Sequence, residues 1–155
     1  MGLNEEYIKK VKTFKENLIG DLTVNDALIL IAVCAVKEKV SENNHLNDPK
    51  RIAVLAHNHP LFSDLADSIE PSINKFMNMI DTMDVVKAVE TSTRVLKPEL
   101  KETAFNWVTE IIMPDGVLTE KRKSILDKYA LLLNIDRNDA KGKAVFSWKT
   151  EKYNQ

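Results

Sequence analysis

The sequence predicts an all-α fold, a compact bundle of about seven helices around one buried central helix. Three observations predict it. The 155 residues include only four glycines, whereas sheet-rich domains use glycine freely in their turns. No segment alternates apolar and polar residues for long, and apolar residues recur at steps of three and four almost throughout. The length suits a single domain with a proper core. It is read as one helical domain over 1–137 and a polar tail over 138–155, in which Phe146, Trp148 and Tyr153 are the aromatic anchors.

The elements follow in order. Ile8, Val11, Phe14 and Leu18, with Lys9, Lys10, Lys12 and Lys15 between them, predict an amphipathic surface helix closed by Gly20. From Ala27 to Val36 every residue is apolar, which a surface helix does not tolerate, so Val24 to Lys39 is predicted as the central helix. Asp48-Pro49 predicts a helix start, with Asp48 as N-cap, and this helix stops before Pro60. Ile73, Phe76, Met77, Ile80 and Met83 mark one face of a helix over Ser68 to Met83, with Pro71 in its first turn. A shorter helix spans Val85 to Leu96, and Pro98 opens another that runs to about Met113. Thr119 is the expected N-cap of the last, with Ile125, Leu126, Tyr129, Leu132 and Leu133 facing inward.

The balance of 22 basic and 23 acidic residues creates no global field toward nucleic acid or an anionic membrane. A nucleic-acid binder working through the lysine-rich first helix would instead need a clustered basic face and steeply salt-dependent binding. One cysteine, Cys34, allows no internal disulfide, and its place in an apolar run suits a small core hydrophobe. Met1 to Lys10 has no apolar signal-peptide core, and the ten-residue apolar run is about half a membrane span. A cytoplasmic location is the expectation.

Two segments echo one another. Val40-Ser41-Glu42 follows the central helix as Leu118-Thr119-Glu120 follows the helix ending near Met113, and each precedes a further helix. A duplicated helical hairpin explains the echo, and chance remains an alternative. With Asp115-Gly116 and the closing Leu133-Asn134-Ile135-Asp136, the arrangement resembles the TerB-like tellurite-resistance family over about residues 20 to 137. The resemblance implies two related helical hairpins and a non-enzymatic, cytoplasmic stress-response module acting with other proteins, with a homodimer left open. The chain departs from the family at Lys37-Glu38-Lys39, where a second Asp-Gly often stands, and at Pro114 before Asp115.

Candidate chemistry centres on acids. Asp115 and Glu120 fall near a helix N-terminus, where the dipole favours negative charge. With Glu38, Glu42 and Glu110 they could instead form an oxygen-rich cluster for a divalent cation, calcium or magnesium. A metal-dependent enzyme using Glu38, Glu110 and Asp115 is the alternative, and it requires those acids to converge in a pocket. An EF-hand is excluded: with Gly116 at the invariant glycine, Ile111 and Met113 take the first ligand positions and Arg122 the bidentate one. His57-Asn58-His59 could pinch a metal only if extended, since on a helix the two rings diverge by about 200°; helix-end histidines are the better reading. There is no glycine-rich phosphate loop, and Met77, Met79, Met83 and Met113 read as core filler.

Overall fold

The computed structural model describes residues 22–39 and 47–135. Six α-helices pack together in them: α1 (Val24–Glu38), α2 (Asp48–His57), α3 (Ala66–Met79), α4 (Val85–Arg94), α5 (Pro98–Ile112) and α6 (Glu120–Leu132). Short 3₁₀ turns occupy Pro60–Phe62 and Ile80–Thr82, and no strand occurs among the described residues. The all-helical expectation holds. The helix predicted before Gly20, the segment Val40-Ser41-Glu42 and the tail all lie outside the described residues.

The core is built around α1. All ten residues from Ala27 to Val36 are buried. α5 and α4 cover it most extensively, α3 and α2 cover further faces, α2 also packs on α3, and α6 lies against α5 and α4. A helix that is apolar all round must be enclosed this way, because any uncovered stripe would leave hydrocarbon in water. At the other end of α1, the Thr23 hydroxyl accepts from the Asp26 N–H at 3.2 Å. Asp26 in turn accepts from the Ser72 hydroxyl at 3.0 Å, which ties α1 to α3.

The C-terminal end of α1 is held by three consecutive side chains that reach three different elements. Lys37 Nζ donates to the Ile80 carbonyl at 2.9 Å, Glu38 accepts from Lys128 on α6 at 2.8 Å, and Lys39 pairs with Asp48 on α2 at 3.2 Å. Lys39 and Asp48 are both buried, at 1% and 0% exposure. Here the structure corrects the expected cap: Asn47 is the N-cap of α2, and Asp48 is already helical. Its carboxylate turns toward the Lys39 ammonium, where a buried charge needs a partner more than the helix end needs a side-chain cap.

A second correction concerns Pro71. The helix begins at Ala66, so Pro71 lies inside α3 and not in its first turn. The start two residues earlier than Ser68 places Pro71 beyond the first turn, and Ile69 on the same stretch is in the core at 0% exposure. Proline is tolerated there because both Pro71 and Asp67, whose carbonyl loses its helical donor, are exposed to water.

The other helix ends follow local rules. Asp84 caps α4 through the Lys87 N–H, and the Thr119 hydroxyl caps α6 through the Arg122 N–H at 3.1 Å. α6 closes with Asn134 at φ 56°. Ile135 N–H donates to the Ala130 carbonyl and Asn134 N–H to that of Leu131, the two bonds of a Schellman ending, with Ile135 packed on the core.

Candidate functional site

The Asp115-Gly116 turn joins α5 to α6, and its geometry is built by three groups. Gly116 takes φ 75°, a conformation that a Cβ would penalise. Asp115 Oδ1 accepts from the Val117 N–H at 3.0 Å and from Arg122 Nη1 at 2.6 Å. The same Arg122 nitrogen donates to the Val117 carbonyl at 2.7 Å, and the Arg122 side chain is only 8% exposed. The Val117 N–H, and after it the Arg122 guanidinium, hold the Asp115 carboxyl below the usual carboxylate range. Asp115 thus organises the crossing from one helix to the next.

The other candidate acids are dispersed in their roles. Glu38 bonds Lys128. Glu110 is exposed on α5, and Glu120 is exposed as the first residue of α6, where its charge suits the helix dipole. Glu42 lies outside the described residues. Among the described residues, no three histidine, cysteine, aspartate or glutamate side chains are grouped so as to hold a metal ion.

The two described histidines, His57 and His59, stand at helix ends. His57 closes α2 and meets Glu70 Oε1 on α3 at 2.8 Å; that hydrogen bond is the main reason the Glu70 carboxyl lies below its ordinary range. His59 caps the Pro60–Phe62 turn, and its ring meets Trp107 edge-on. Met83 and Met113 are buried, while Met77 and Met79 pack partly buried against the core.

Two buried groups carry latent chemistry. Burial pushes the Cys34 thiol up to about 12, with the Glu38 charge adding to the effect, so it stays protonated and unreactive at neutral pH. The Tyr129 hydroxyl is raised further by burial, then by the neighbouring Cys34 and Glu38. Among the described residues it has no hydrogen-bond partner. A buried hydroxyl without a partner costs about 1–3 kcal/mol, so Tyr129→Phe is expected to leave stability unchanged or raise it by about 1 kcal/mol. Urea unfolding checks this: a midpoint equal to or above that of the wild type, with an unchanged slope, is the expected result, and a lower midpoint contradicts it.

No family model, curated protein or solved structure matches the chain. The functional reading therefore rests on its own residues. Among these, sequence reasoning missed the cations. Arg122 carries a faint signal, since Asp115 lies seven residues back across the turn and Thr119 at cap distance. Lys128 and the Lys39–Asp48 pair carry none, because their partners are set by how the helices pack.

Proposed function

We propose that this chain is a non-enzymatic, cytoplasmic interaction module of the TerB-like stress-response kind, acting through protein partners. The observation that carries this reading is the employment of its candidate ligands. Asp115 is bound to Arg122 and the Val117 amide, and Glu38 to Lys128, so both acids hold helices together. A divalent cation at those positions would have to compete with a guanidinium and an ammonium for the same carboxylates. The likeness to the family rests on the Asp115-Gly116 turn, Thr119-Glu120 and the closing Leu133-Asn134-Ile135-Asp136 of the sequence. A likeness of this kind constrains fold more than activity.

The test is made in the cell of origin. Removing the protein is expected to raise sensitivity to tellurite, and restoring the wild-type chain to reverse it. Unchanged survival with and without the protein, under tellurite and oxidants alike, overturns the stress-response reading.

A further inference from the structure

The link from α2 to α3 carries two imidazoles whose hydrogen bonds respond to a proton in opposite ways. His59 has an extended backbone at φ −99°, ψ 133°, and its Nδ1 accepts from the Leu61 N–H at 3.1 Å. A backbone N–H can only donate, so Nδ1 must offer a lone pair, and a proton there excludes this bond. Pro60 has no N–H, which makes Leu61 the first amide of the turn in need of an acceptor. The turn also delivers Phe62, 1% exposed, to Trp107 on α5, with ring centroids 6.1 Å apart. The His59 ring itself lies 6.2 Å from the same indole. His57 is the opposite case. It faces a carboxylate that can only accept, so protonation strengthens its bond to Glu70 across α2 and α3.

The ionisable groups closest in sequence to the turn and to Trp107 are His57 on α2, Asp64 just after the turn, Asp67 and Glu70 on α3, and Glu110 one helical turn beyond Trp107 on α5. Glu70 is engaged by His57, and Asp64, Asp67 and Glu110 are exposed to solvent.

We propose that His59 is a proton-sensitive latch that holds the Pro60–Phe62 turn on Trp107 while neutral and releases it on protonation. His57 and Glu70 keep α2 joined to α3 in both states, so the response is confined to the turn and its seat on α5. An imidazolium still has an attraction for an indole; the informative reporter is therefore the Leu61 amide and not the ring contact.

The experiment is an NMR titration of the full chain from pH 8 to pH 5, the span in which an imidazole changes charge. The Leu61 amide is expected to shift with the same midpoint as the His59 ring. Its exchange, corrected for the intrinsic pH dependence, is expected to rise about tenfold, as loss of a capping bond implies. His57→Gln should leave this behaviour intact. His59→Asn supplies an acceptor that does not titrate, and should hold the Leu61 amide fixed across the range. The proposal is overturned if the Leu61 amide is indifferent while His59 takes up its proton, a result readable in the wild type alone. It is equally overturned if the Leu61 titration survives in a folded His59→Asn chain.

Discussion

Replacing Asp48 by alanine is expected to cost about 3–5 kcal/mol, because it strands the Lys39 ammonium without its buried counter-charge. The two groups meet at 3.2 Å with 1% and 0% exposure. Arg51 Nε approaches the same carboxylate at 3.9 Å from a more open position and can relax into solvent when the acid is lost. The Lys39 ammonium, on a side chain only 1% exposed, starts from no such open position. Denaturant unfolding measures the loss. The double replacement Lys39→Met with Asp48→Leu separates charge from packing. It is expected to recover most of the loss or to exceed wild type, as apolar substitutes for buried pairs often do. A single Asp48→Ala chain as stable as wild type would show that the pair does not hold α1 to α2.

Leu28→Ala is expected to cost about 2–5 kcal/mol, the range for a buried leucine whose cavity collapses only in part. Leu28 is 0% exposed in a helix enclosed by its neighbours, so few groups are free to fill the space. Leu131→Ala is the matching control. That residue is 76% exposed on α6, and its truncation is expected to change stability by less than about 0.5 kcal/mol. Equal losses at the two positions would contradict the placement of α1 at the centre.

The helical architecture was legible because its strongest signal is local. Ten apolar residues in a row leave no polar side for water, and the covered α1 is the direct consequence. Thr119, Gly116 and Pro98 were legible for the same reason, since a cap, a positive φ and a first-turn proline are settled within a few residues. The misreadings arose where a distant partner decides. Asp48 looks like a cap until Lys39 is placed beside it, and Pro71 looks like a first-turn residue until the helix is seen to begin at Ala66. Thr91, Ser92 and Thr93 are polar, yet all three are buried in α4. Ser92 and Thr93 satisfy their hydroxyls on the Ala88 and Val89 carbonyls one turn back. The acids Asp115 and Glu38 were legible as candidates, but their engagement by Arg122 and Lys128 depends on helix packing that spacing alone does not encode.

The most direct test of the claim that these acids hold helices together is a calorimetric titration with calcium, magnesium, zinc and manganese. It is run on the wild type and on Asp115→Asn, with circular dichroism to confirm that both are folded. The account predicts no saturable heat that depends on Asp115, together with a loss of stability in the mutant as Arg122 gives up its charged partner. Saturable binding by the wild type that disappears in a folded Asp115→Asn chain would contradict it and make the turn an ion site.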